Sequence, residues 1–244
     1  VDKIPVELLS PSREASDVFR RLGLWNLYQR NWKQAANRYI VVLQVNQVDK
    51  DDRNDQIHDL LFAAPILIEA GASADYDRIR RTALTRLSNI TNPSAAEQLM
   101  KTSLLLPLEN SDFKEFEPLE RMVSDSLKSH DPAVNDQSLL AAWRNFALAL
   151  LEYRRGDFTE ATNQLQVCSG YPGQSPACVA STHLLRSMAL RQLGKIEQAD
   201  AELDQVRAME QARFKKKLES GNDKTGRIEG WIATHIQMHE AASL

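Results

Sequence analysis

The feature that most constrains this 244-residue chain is a short pattern that returns five times. In "YRRGDFTEATNQL" (Tyr153 to Leu165) and "RQLGKIEQADAEL" (Arg191 to Leu203), a bulky apolar residue stands two places after a Gly. Ala follows three later and Leu four after that. The same three points fit Trp32, Ala35 and Tyr39; Tyr76, Ile79 and Ala83; Phe116, Leu119 and Val123; Phe158, Ala161 and Leu165; and Ile196, Ala199 and Leu203. The first members at 32, 76, 116, 158 and 196 are 44, 40, 42 and 38 residues apart. Near-constant spacing of this size is the signature of one supersecondary unit written repeatedly.

Offsets of 0, 3 and 7 stack three side chains on one face of a helix, and a small middle residue lets a second helix approach closely. Before the repeated triplets lie further amphipathic segments, such as "VFRRLGLWNLYQ", "NDQIHDLLFAAPILIEA" and "LAAWRNFALALLEY". Turn signals ("RN", "GASAD", "ENSD", "RGD", "LGK") separate the members of each pair. Gly156 and Gly194 stand where a helix ends in a left-handed turn, the conformation that costs glycine least. The unit is a helix, a tight turn and an antiparallel helix. One such hairpin cannot bury its apolar faces alone, so successive hairpins stack. With nine glycines in the chain, composition favours helix as well.

These residues resemble the tetratricopeptide repeat family, in which Leu-Gly in the first helix is followed by an aromatic residue opening the second. Leu22 and Gly23 with Trp32, Ala35 and Tyr39 match best, and "GDFTEA" (Gly156 to Ala161) next. Ile79 and Leu119 stand where that family has a small residue, and the spacing exceeds its usual length of about 34 residues. The resemblance implies an all-α chain: a right-handed α-solenoid of about five TPR-like helical hairpins with C-terminal capping helices. The expected division is an extended lead-in over 1–11, with Ser12 as N-cap, then repeats over 12–208. Capping helices follow over 209–244, one of them carrying Ile228, Trp231, Ile232, His235 and Met238 on a single stripe, the whole forming one continuous domain.

From about Phe19 onward, the order "LGLW…W…A", "AAPILIEAG…Y", "LLLP", "AAWRNFALALLEYRRGDF", "MALRQLGK" also resembles the helical C-terminal region of large bacterial serine/threonine protein kinases. That resemblance implies a signalling protein of which this chain is the tail, in keeping with a first residue Val1 in place of Met. The kinase signatures themselves do not occur in the sequence.

Charge and cysteine content narrow the function classes. Thirty Lys and Arg against 33 Asp and Glu give a net charge of -3, which supplies no general attraction to nucleic acid. "RIRRTALTR" (Arg78 to Arg86) and "FKKKLE" (Phe214 to Glu219) scatter their charges around a helix and read as solvated faces. The longest apolar run, Leu60 to Ile68, is about half a membrane span. Cys168 and Cys178 make no disulfide framework and read as free thiols in a cytoplasmic protein, although their loop could bring them together. Asn89-Ile90-Thr91 fits a glycosylation acceptor, relevant only to a secreted chain.

No catalytic residue, cofactor or metal is indicated. His235 and His239, four apart, share a helical face, a usable metal-ligand spacing, but no third ligand accompanies them and they read as surface or cap packing. His58, His130 and His183 stand apart from any nucleophile motif. The resemblance to tetratricopeptide repeats implies a protein or peptide partner held against the first helices of the hairpins. There Arg20, Trp25, Trp143 and Phe146 are the candidate peptide-binding residues. Leu24 stands where the family's carboxylate clamp has Asn, so the clamp itself is not expected.

Overall fold

The computed structural model describes residues 13–48, 53–86, 90–108, 110–128, 135–215 and 228–244, and among these every regular element is helical. The lead-in 1–11, Ser12, Asn89, His130 and Lys216–Lys217 lie outside the described residues. The chain divides into two compact units, Val1–Arg81 and Thr82–Leu244.

The first unit holds α1 (Arg13–Tyr28), α2 (Trp32–Val48), α3 (Arg53–Glu69) and the start of α4 (Ser73–Arg86). The second holds α5 (Pro93–Ser103), a 3-10 segment (Asn110–Phe116), α6 (Glu117–Lys128), α7 (Asn135–Arg155), α8 (Phe158–Ser169), α9 (Pro176–Gln192), α10 (Ile196–Lys215) and α11 (Ile228–Ala241). Within each unit the principal packing is between helices one or two places apart in order, α1 on α2 and α2 on α3, then from α5 on α6 through to α11 on α9. This nearest-neighbour packing is how stacked hairpins bury their apolar faces.

Four of the turns are built alike. Arg30, Gly71, Gly156 and Gly194 have φ of 56°, 75°, 86° and 73°. The N–H of the next residue reaches back five positions in each: Asn31 to Asn26, Ala72 to Leu67, Asp157 to Glu152 and Lys195 to Leu190, all at 2.9 Å. These are Schellman turns, which satisfy the last carbonyls of one helix and aim the chain into the next. Arg30 adopts the left-handed conformation without being glycine, at a cost of roughly 1–2 kcal/mol.

The turns also correct the sequence register of the second hairpin. Counting five residues on from the left-handed position gives Ala35, Tyr76, Ala161 and Ala199, and each N–H bonds the carbonyl four residues back, at 2.9–3.0 Å. Tyr76 is therefore the counterpart of the small middle residue and Ser73 that of the opening aromatic. Matching by residue type favoured the tyrosine, whereas the backbone counts from the turn. Among the described residues the third hairpin shows no such turn: α5 ends at Ser103 with Leu104 as its C-cap, and the 3-10 segment leads into α6.

Elsewhere the repeat holds as packing. Ala35, Ala161 and Ala199 are fully buried, as are Leu119 and Val123, whereas Ile196 is 48% exposed. The Leu-Gly motif has a direct reason: a Cβ on Gly23 would sit 2.7 Å from Cε2 of Tyr39, whose ring lies between α1 and α2 and stacks on Phe62 of α3. In the second unit, α11 meets α9 along small residues. Gly230 would bring a Cβ to 3.2 Å from that of Ala177, and the Ser181 and Thr234 hydroxyls bond at 2.9 Å. Glu229, Thr234 and Gln237 are buried along with Ile228, Trp231 and Ile232, so α11 is enclosed on more than the single predicted stripe.

Candidate interaction surface

Helix α1 has two contrasting faces. Phe19, Gly23, Asn26 and Leu27 are buried, with Phe19 packed on Val41 and Val42 of α2 and Gly23 against Tyr39. Val18, Leu22 and Trp25, at offsets 0, 4 and 7, form an outer apolar stripe. Val18 is 51% and Trp25 63% exposed, with Leu22 half-buried between them. A tryptophan of this kind offers a large flat apolar surface together with an indole N–H.

Beside the stripe, Arg20 is committed to its own scaffold. Its Nε and Nη2 donate to the two carboxylate oxygens of buried Asp59 on α3, each at 2.8 Å, and Nη1 donates to Asp17 at 2.6 Å. The hydrogen bond and charge of Asp59 hold the guanidinium firmly protonated against the opposing effect of burial, with Asp17 adding to them. Two carboxylates thus neutralise Arg20 before any partner arrives, and it serves as a cross-link between α1 and α3.

The aromatic pair of the second unit is placed differently. Phe146 is only 4% exposed, and its ring meets Trp143 edge to face at 5.6 Å. Trp143 is half-buried, and the Lys101 ammonium lies 3.8 Å from the centre of its ring while also pairing with Glu97. Lys101 therefore occupies one face of the indole. Residue pattern alone does not separate these rings from Trp25, because α7 is apolar nearly all round ("AAWRNFALALL") and no polar face marks its outside. Of the four candidate residues, Trp25 is the one that presents a large apolar side chain to solvent.

Two arginines of α4 make ion pairs within the helix. Arg78 pairs with Asp75 at 2.8 Å and Arg80 with Asp77 at 2.7 Å, the latter lying 5.2 Å from the centre of the Tyr76 ring. His183 bonds Glu202, which Arg186 also approaches at 3.4 Å. Burial pushes the Glu202 carboxyl upward, but the His183 hydrogen bond and the Arg186 charge outweigh it and hold the group below its ordinary value. Cys168 and Cys178 are free thiols and fully buried. The Cys168 thiol donates to the Ala142 carbonyl at 3.2 Å and lies 3.2 Å from the Thr182 hydroxyl, while its hydrogen bond with Cys178, together with burial, pushes the Cys178 thiol up. No described helix is long and apolar enough to cross a membrane.

No family model matches the chain, and no curated protein matches it. Among solved structures, a crystal structure of MamA protein aligns with a TM-score of 0.42 at 12% identity, covering 83% of this chain and 97% of that one. A crystal structure of BtubC from P. vanneervenii gives 0.45 at 15% identity, covering 87% and 85%. A second MamA structure, from AMB-1, gives 0.39 at 16%, covering 80% and 98%. At these scores the likeness carries no function over to this chain.

Proposed function

We propose that this chain is a non-catalytic, tetratricopeptide-like module that binds a protein or peptide, with Trp25 as an apolar anchor. The observation that carries the reading is the exposure of Trp25 beside Val18 on a helix whose other face is locked by Gly23, Tyr39 and the Arg20–Asp59 pair. An ordered scaffold that presents an exposed tryptophan loses little entropy on binding, and such residues dominate interface energetics. Trp143 and Phe146 support the second unit's packing in this reading, and Arg20 positions α1. The sequence order supports a wider context: the cytoplasmic C-terminal part of a multidomain bacterial signalling protein such as a serine/threonine kinase. The net charge of -3 supports a protein partner over nucleic acid.

The test is an array of overlapping peptides probed with the wild-type chain and with Trp25→Ala, both checked for an unchanged helical spectrum. The expected result is saturable binding that falls at least tenfold in the variant, with modest salt dependence. Equal binding by both proteins removes Trp25 as the anchor. Sedimentation showing a dimer that Trp25→Ala dissociates, with no peptide bound, replaces the reading with self-association. Substrate turnover by the chain refutes the non-catalytic assignment.

A further inference from the structure

The two histidines of α11 have a partner that their spacing alone does not reveal. His235 Nδ1 lies 2.7 Å from Oε1 of Glu210, a carboxylate on α10 and 25 residues away in sequence. On the other side of the ring, His235 Nε2 lies 3.2 Å from Nε2 of His239. Glu210 can only accept, so Nδ1 of His235 carries the proton and its Nε2 presents a lone pair. The carboxylate thereby fixes both the tautomer and the orientation of the ring.

This is the arrangement by which proteins prepare a histidine for a metal: one ring nitrogen donates to a carboxylate and the other is left to ligate. The separation of the ring nitrogens fits as well. Two imidazole nitrogens about 2.0–2.1 Å from a tetrahedral ion stand roughly 3.3–3.4 Å apart, close to the distance observed. The rings meet edge to face, at 80°, with centroids 4.6 Å apart. His235 is half-buried and His239 exposed, so an ion can reach them from solvent.

We propose that His235 and His239 form a binding site for a divalent transition metal of the zinc class, with Glu210 as the residue that orients the first ligand. This goes beyond the interaction-module reading and does not depend on it. In the metal-free protein, Nε2–H of His239 donates to Nε2 of His235. On binding, the His239 proton resides on Nδ1 and both Nε2 atoms ligate, so both histidines ligate as neutral imidazoles. Helix α11 supplies two imidazole ligands, and the exposure of His239 makes the site exchangeable rather than one that holds the fold together. Imidazole selects zinc, nickel or copper over magnesium, which prefers oxygen donors.

The test is calorimetric titration of the whole chain with zinc chloride, nickel chloride and magnesium chloride. The expected result is one zinc or nickel ion per chain and no magnesium. His239→Gln, at an exposed position, removes that binding while leaving thermal unfolding of the metal-free protein unchanged. Glu210→Gln keeps both ligands but loses the orienting charge, and weakens zinc binding about 10-fold or more. Absence of saturable zinc binding overturns the proposal, as does full binding in the double variant His235→Ala, His239→Gln. Zinc affinity unaltered in Glu210→Gln overturns the role given to Glu210.

Discussion

Arg154 near the end of α7 and Glu240 on α11 form a two-pronged ion pair, 86 positions apart in sequence. Nη2 donates to Oε2 at 2.7 Å and Nη1 reaches Oε1, while Nε and Nη2 also donate to the carbonyls of Leu104 and Leu105 at 3.0 and 2.9 Å. One side chain, 3% exposed, thus satisfies the end of α5 and fastens α11. Removing it strands a partly buried carboxylate and two carbonyls. Arg154→Ala is expected to destabilise the chain by about 3 kcal/mol or more, read by urea unfolding, and Arg154→Lys recovers only part because it cannot form the planar fork. A change within about 0.5 kcal/mol would show that the pair holds nothing.

Gly23→Ala sets two effects against each other. Helix propensity favours alanine by about 1 kcal/mol. Against that, the new methyl meets the Tyr39 ring at 2.7 Å, and the ring is buried and stacked on Phe62 at 6.0 Å. Overpacking of this kind costs roughly 1–3 kcal/mol, so net destabilisation is expected. A raised midpoint in thermal unfolding would mean that Tyr39 yields easily and that the Leu-Gly motif has no packing role.

At the fourth hairpin, Ala161 and Glu160 make a paired comparison. Ala161 is fully buried, so Ala161→Leu should cost about 1–3 kcal/mol. Glu160 lies one residue before it, receiving hydrogen bonds from the side chains of Asn163 and Gln164, and its N–H bonds the Asp157 cap. Glu160→Gln should stay within about 0.5 kcal/mol. Equal effects in denaturant melts would refute the register given to α8.

Two carboxylates should respond to acid in opposite directions. Glu202 is held below its ordinary value of 4.5, so its ionised form stabilises the folded chain above that pH, and the benefit disappears as pH falls through the folded value. Burial raises Glu152 above 4.5 despite its contact with Arg155, so its ionised form opposes folding at neutral pH. Glu202→Gln should therefore destabilise at pH 7 and converge on wild type in acid. Glu152→Gln should equal or exceed wild-type stability at pH 7 and lose that advantage in acid. Unfolding measured at pH 7 and at successive steps below 4.5 checks both signs.

The hairpins were legible in the sequence because their turns and buried small residues are local: Gly156 and Ala161, or Gly194 and Ala199, lie within five positions of each other. The second hairpin misled because Tyr76 is the more conspicuous residue but Ser73 follows the turn by the same count as Trp32, Phe158 and Ile196. Which aromatics face solvent was not legible on α7, where apolar residues surround the helix. On α1, the alternation of Phe19 and Leu27 with Val18 and Trp25 needed the position of α2 to be resolved. The carboxylate behind His235 was invisible for a simpler reason: it comes from another helix, and nothing local links Glu210 to it.

The two buried cysteines give this protein a built-in clock. Their thiols are closed off between α7, α8 and α9, so a thiol-reactive reagent meets them only when that part of the chain opens. The rate of labelling under native conditions therefore tracks the opening of the fourth and fifth hairpins without any substitution, reporting the open population when reclosing is fast and the opening rate when the reagent reacts faster. Any ligand that favours their closed arrangement will announce itself by slowing that rate.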